Sequence, residues 1–208
     1  TQGGKPITNP SNINVTLLFS PHHVCQVFEA CTNGLTRRHA SGLPLGRVHA
    51  VASLFVSRVD TLLDPQLPPT EVSLRGNIGI ANARAAYAQW LDRFGGSQFA
   101  HLRAAGAHPP KCLWASTGVK NPAWNPTRYV DALIGPDTVN TVPDVTLSAF
   151  AESGSALRTL DSDLSAAKSI LQRAADLGID LDKVGEQLQV DGLKQFELAF
   201  DTLLRVVA

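Results

Sequence analysis

Residues 12–20 read NINVTLLFS, an apolar run from Ile13 to Phe19 with Asn14 and Thr16 set into it, followed at once by Ser20-Pro21. Aliphatic and β-branched side chains at that density predict a buried strand. Ser20 then suits a helix N-cap and Pro21 the first turn, so a helix is expected onward through Val24, Val27, Phe28 and Cys31. A strand that feeds a helix without a hairpin is the building unit of α/β folds.

The same alternation recurs downstream. A glycine-rich, basic segment from Asn33 to Arg47 leads to a second strand over Val48 to Val59, interrupted by Ser53 and closed by Arg58. Pro68-Pro69 marks a loop. Ile78 to Phe94 carries Ile78, Ala81, Ala85 and Trp90 at helical spacing, and a short helix follows over Ser97 to Ala105. After Pro109-Pro110, Lys111 to Ser116 reads as a third strand running into Thr117, Gly118, Val119 and Lys120. Trp124 to Leu133 predicts a brief helix, Ile134 to Thr141 a strand or loop, and Pro143 a helix start reaching Glu152. Leu164, Ala167, Ile170, Leu171 and Ala174 form one helical face stopped by Gly178. Asp191-Gly192 precede a further pattern through Phe196, Phe200, Leu203 and Leu204. Polar residues gather inside or just after the strands, where an α/β barrel or open sheet gathers its active-site side chains.

Composition narrows the function classes. The 208 residues are 44% hydrophobic and 17% charged, with 18 basic and 18 acidic side chains and a formal charge of zero. That balance removes the electrostatic warrant for a nucleic-acid or membrane-surface partner. Cys25, Cys31 and Cys112 form no zinc-type pair and cannot all pair with one another, and no stretch reaches a membrane span, so a reduced, cytoplasmic setting is expected. His22 and His23 lack completing metal ligands, His39, His49, His101 and His108 form no recognisable triad, and Gly34, Gly42 and Gly46 miss the dinucleotide spacing. At 208 residues the chain is short for a complete eight-stranded α/β barrel, which takes about 250 residues.

Asn14 and Thr16, two apart on one strand, share a face and have the donors and acceptors either to orient a carbonyl or hydroxyl of a ligand or to bond within the protein. Ser53 and Phe55 share a face in the same way. Arg58 offers a planar, multiply donating cation that suits a phosphate or a surface ion pair. Ser116 and Lys120 form another candidate group, with Lys120 either a second cation for a phosphorylated ligand or a solvated loop lysine.

Three ordered motifs, Asn12 to Ser20, Val51 to Asp60 (VASLFVSRVD) and Trp114 to Asn121 (WASTGVKN), together with Leu133 to Thr141 (LIGPDTVNT), closely resemble the transaldolase family over nearly the whole chain. The resemblance implies a (β/α)8 barrel of which about the last four strands and the C-terminal helices are present, as one partial domain over 1–208 behind a flexible leader at 1–12. It implies a pentose phosphate pathway transferase that moves a dihydroxyacetone unit from sedoheptulose 7-phosphate to glyceraldehyde 3-phosphate through a lysine Schiff base. Asn14 and Thr16 match residues around the Schiff base and catalytic water; Ser53, Phe55 and Arg58 match the substrate pocket, with Arg58 on phosphate. Ser116 and Lys120 occupy the region of a second phosphate contact. No metal or organic cofactor is implied; the partners are the phosphorylated ketose and aldose. The Schiff-base lysine and the acids of the earlier strands belong ahead of Asn12, and Lys5 in KPITNP has no preceding apolar strand to replace that lysine. Two partners would complete such a barrel, an N-terminal barrel fragment or a second copy. The alternative is a catalytically incomplete phosphosugar-binding or structural protein.

Overall fold

The computed structural model describes residues 12–207, so Lys5 and all of the expected leader except Asn12 lie outside the described residues. In chain order the elements are β1 (Ile13–Leu18), α1 (Pro21–Ala40), β2 (Ala50–Phe55), α2 (Ser57–Leu63), α3 (Ile78–Gly95), α4 (Ala100–Ala104), β3 (Lys111–Ala115), α5 (Arg128–Ala132), β4 (Thr138–Asn140), α6 (Asp144–Ser153), α7 (Leu164–Asp176) and α8 (Leu181–Val207). The four strands lie side by side in sequence order, every neighbouring pair parallel. Parallel neighbours need a crossover, and helices supply each one. This is the winding expected of the later strands and helices of a (β/α)8 barrel.

Side-chain alternation gives the sheet two different faces. Leu18, Ala52, Leu54, Cys112 and Trp114 point outward into a core shared with Val24, Phe28 and Leu35 of α1 and with Ala83, Ala86, Tyr87, Trp90 and Phe94 of α3. The polar tips of the large aromatics are satisfied inside it: Trp114 Nε1 donates to the Leu133 carbonyl at 3.0 Å and Trp90 Nε1 to that of Pro110 at 2.6 Å. Burial in this core pushes the Cys112 thiol well above its ordinary pKa and the Cys31 thiol up to about 11, which leaves both in the unreactive protonated form. A second cluster, around Leu17, Phe19, Val59, Leu63, Ile78, Ala174 and Leu188, joins the C-terminal end of β1 to α2, α3, α7 and α8. On the inner face Ser53, Leu113 and Ala115 are buried, Val51 and Phe55 half-buried, and Asn14 and Thr16 exposed.

Three boundaries differ from the sequence expectation. Helix α1 runs through Asn33-Gly34 to Ala40, because Leu35 and Arg38 continue the buried stripe set by Val24 and Phe28. That burial outweighs the cost of about 1 kcal/mol for a mid-helix glycine. The second strand ends at Phe55, not Val59. The backbone turns helical at Val56, and the helical spacing of buried Val56, Val59 and Leu63 replaces strand alternation. Arg58 therefore stands in the first turn of α2. Finally, α8 begins at Leu181 and passes straight through Asp191-Gly192, where the missing side chain serves close packing instead of a helix start.

Candidate functional site

Asn14, Thr16, Ser53 and Phe55 share the inner face of β1 and β2, and Arg58 and Ser116 stand just past the C-terminal ends of β2 and β3. Register pairs Asn14 with Val51 and Ser53 with Leu113, which brings residues far apart in sequence onto one inner surface. Ser53 Oγ donates to Asn14 Oδ1 at 2.6 Å. Asn14's carbonyl is thereby engaged, while its amide NH2 and the Thr16 hydroxyl have no hydrogen-bond partner among the described residues. Just beyond Thr16, Leu17 adopts φ 59° and the β1–β2 register shifts between Val15 and Leu18. A bulky residue in the left-handed region persists only where its surroundings over-determine it, and such residues concentrate at functional sites.

At the mouth of β2, the Arg58 guanidinium lies 5.1 Å from the centroid of the Phe55 ring, which packs in turn on Phe19 with centroids 5.3 Å apart. Arg58 has no carboxylate partner among the described residues, so the ion-pair reading is not realised. A half-buried guanidinium held over an aromatic ring without a carboxylate beside it suits an anionic ligand. Ser116, with φ 55°, follows β3. Its carbonyl accepts from Ser57 N at 2.9 Å, and its hydroxyl shares a 2.9 Å hydrogen bond with that of Ser57. Thr117 Oγ1, fully buried, donates to Asn140 Oδ1 at 2.8 Å and locks the ends of β3 and β4 together.

Lys120 stands apart from these contacts. It is exposed and lines a cleft of about 230 Å³ with Asp60, Thr61, Asp64, Pro65, Asn121, Trp124 and Tyr129. Asp60 forms the floor of that cleft. Burial pushes its carboxyl up to about 7, although Gly79 N at 2.7 Å and Tyr129 Oη at 2.9 Å donate to it and favour the ionised form. Asp60 closes the motif at Val51 to Asp60, yet its placement against α3 and Tyr129 is visible only in three dimensions. Gly192 of α8, which the sequence marks only as the start of a helical pattern, stands against the mouth: a Cβ there would lie 3.1 Å from Leu17 Cδ2 and 3.5 Å from Arg58 Nη1. Among the described residues no group of three or more His, Cys, Asp or Glu is placed to hold a metal ion, and no helix is long and apolar enough to cross a membrane.

The chain that carries these residues has relatives among known proteins. Residues 8–207 match the family described as Transaldolase/Fructose-6-phosphate aldolase. The chain is 48% identical over 198 residues to a transaldolase of Neisseria meningitidis serogroup C / serotype 2a, covering 95% of this chain and 56% of that one. It is 47% identical over 197 residues to a transaldolase of Thiobacillus denitrificans (93% and 55% covered) and 41% identical over 198 residues to one of Mycolicibacterium smegmatis (93% and 53% covered). The chain thus spans little more than half the length of these curated relatives, and its four parallel strands with their helices fit that share of an eight-stranded barrel. By sequence match and by fold, this chain belongs to the transaldolase/fructose-6-phosphate aldolase family.

Proposed function

We propose that this chain carries the phosphosugar-binding half of a transaldolase-type site. The supporting observation is Arg58, a guanidinium seated on Phe55 with no carboxylate partner among the described residues, at the rim above the Asn14–Ser53 pair. A sugar phosphate entering this mouth places its dianion on Arg58 and its carbonyl and hydroxyl groups within the reach of Asn14 and Thr16 on the inner face.

Transfer of a dihydroxyacetone unit from sedoheptulose 7-phosphate to glyceraldehyde 3-phosphate needs, in addition, a lysine amine that condenses with the donor ketone. The resulting Schiff base accepts the electron pair released when the carbon–carbon bond breaks. Within β1–β4 the described lysine is Lys111, which opens β3 at its N-terminal end, away from the mouth, and Lys120 is exposed on the loop. Binding without transfer is therefore the function that this chain's own residues support, and transfer is the function of the barrel completed by the four preceding strands. In that assembly Thr16 and Asn14 orient the water and the nitrogen at the reacting carbon.

Two measurements test this. Arg58→Ala should weaken fructose 6-phosphate binding by about 10- to 100-fold, the worth of a charged hydrogen-bonded contact, and leave fructose binding unchanged. Equal weakening of both ligands overturns the phosphate role. Borohydride reduction in fructose 6-phosphate should label no lysine in this chain alone. It should label one when the chain is co-expressed with the part of the Neisseria meningitidis relative that it does not match. A folded, ligand-binding complex without adduct would leave binding as the whole function.

A further inference from the structure

Helix α8 presents a narrow seam to the rest of the fold. Gly185, Leu188, Gln189 and Gly192 recur at helical spacing, and Gly185, Leu188 and Gly192 are its buried residues. Two glycines inside a helix cost stability, and here each coincides with a close approach. A Cβ at Gly185 would stand 3.2 Å from Ser20 Cβ and 3.3 Å from His23 Cε1; one at Gly192 would press on Leu17 Cδ2, with Arg58 Nη1 beside it at ordinary contact distance. Between them, Gln189 Nε2 donates to the Leu17 carbonyl at 3.1 Å across 172 residues of sequence. Leu17 is the residue in the left-handed region, directly after Thr16 and beside the register shift of β1. The strained end of β1 and the guanidinium of Arg58 are therefore both set against one stretch of α8.

We propose that α8 is part of the sugar-phosphate site: Gln189 is a positioning residue that fixes the mouth end of β1, and with it Asn14 and Thr16, while Gly192 leaves the space that Leu17 fills beside Arg58. This rests on the phosphosugar reading of the site given above. Without the Gln189 hydrogen bond, the Leu17 carbonyl loses a donor that stabilises its turned peptide, and β1 gains freedom to relax its register. With a methyl at 192, Leu17 must give way by a few tenths of an ångström while Arg58 Nη1 stays at ordinary contact distance, and misplacement of Leu17 on this scale disturbs the mouth end of β1 beside the guanidinium.

The experiment uses the chain itself, with fructose 6-phosphate and inorganic phosphate as probes. Amide hydrogen exchange needs no ligand. Gln189→Ala and Gln189→Glu should accelerate exchange across residues 13–20 on the order of fivefold, the worth of one hydrogen bond. Gln189→Lys, which keeps an N–H donor, should restore protection, and protection of β3 should be unmoved in all three. Unchanged exchange at 13–20, or no rescue by lysine, overturns the role of Gln189. In calorimetric titrations Gly192→Ala, which displaces Leu17 beside Arg58, should weaken both probes at least about tenfold, whereas Gly185→Ala, which loosens the same seam away from Leu17, should not. Equal weakening by both reduces α8 to a brace and overturns the role of Gly192. Wild-type chain that binds neither probe overturns the phosphosugar reading, and hydrogen exchange then still decides whether Gln189 holds β1.

Discussion

The two faces of the sheet are made by alternate residues of the same four strands, yet they are under different physical rules. Outward, Leu54, Cys112 and Trp114 lie at 1% exposure or less, with the Trp114 indole N–H paired, and a change of one methylene is felt throughout. Inward, Asn14 and Thr16 are exposed, and the Asn14 amide and Thr16 hydroxyl retain unused hydrogen-bonding capacity. One face supplies stability, and the other holds the exposed polar groups to which the proposed function assigns ligand contacts, at positions where polar side chains cost the fold little.

The sharpest way to break this division is to truncate matched positions on the two faces. Trp114→Ala, on the outer face, should cost about 3–5 kcal/mol in urea unfolding, the range for removing a large buried aromatic. Thr16→Ala, on the inner face, should stay within about 0.5 kcal/mol. Comparable losses would show that the inner face carries fold stability after all.

Asp60 tests the division at its edge, because it is a carboxyl buried on the α2–α3 side, close behind the site. Its pKa is raised from 3.8 to about 7, so the native state keeps the proton that the unfolded chain releases near pH 4. This group's contribution is therefore greatest below about pH 4, declines as pH rises towards 7, and is lost above that, a span of about 4 kcal/mol. Asp60→Asn keeps an acceptor for Gly79 N and removes the charge, so its unfolding free energy should lack this slope and exceed the wild-type value above pH 7. Parallel pH profiles would mean that Asp60 is not held neutral by burial.

The smallest effect concerns α8, which repeats the contrast along one helix. Its first half is docked at Gly185, Leu188 and Gly192, whereas Phe196 and Phe200 are 56% and 59% exposed. Phe200→Ala should change stability by no more than about 0.5 kcal/mol, and Leu188→Ala by at least about 2 kcal/mol. Similar values would show the distal half to be packed in solution.

How much of this could be read from the chain depended on the range of the interaction. Strands β1 and β3 and helix α3 were legible because their apolar runs and helical spacing are local signals, and the motifs at Asn12 to Ser20 and Val51 to Asp60 singled out Asn14, Thr16, Ser53, Phe55 and Arg58 as candidates. The end of β2 was not, because nothing like glycine or proline separates Phe55 from Ser57; only the helical spacing of Val56, Val59 and Leu63 distinguishes helix from continued strand. Asn33-Gly34 and Asp191-Gly192 read as punctuation, yet both lie inside helices whose flanking residues are buried by tertiary contacts. The Asn14–Ser53 bond depends on strand register, and the contacts of Gln189 and Gly192 with Leu17 on a docking 172 residues away, neither of which has a local signature.

The hydroxyl pair of Ser57 and Ser116 has a consequence of its own. Two hydroxyls 2.9 Å apart share one hydrogen between them, and either oxygen can be its donor. Whichever way the pair is oriented, one O–H hydrogen is left over, and reversing both rotors replaces the shared bond by one of opposite direction and moves that spare donor from one serine to the other. The rim of the sheet thus holds a hydrogen-bond donor with two interchangeable positions, one on half-buried Ser116 and one on buried Ser57, exchanged while the backbone stays still.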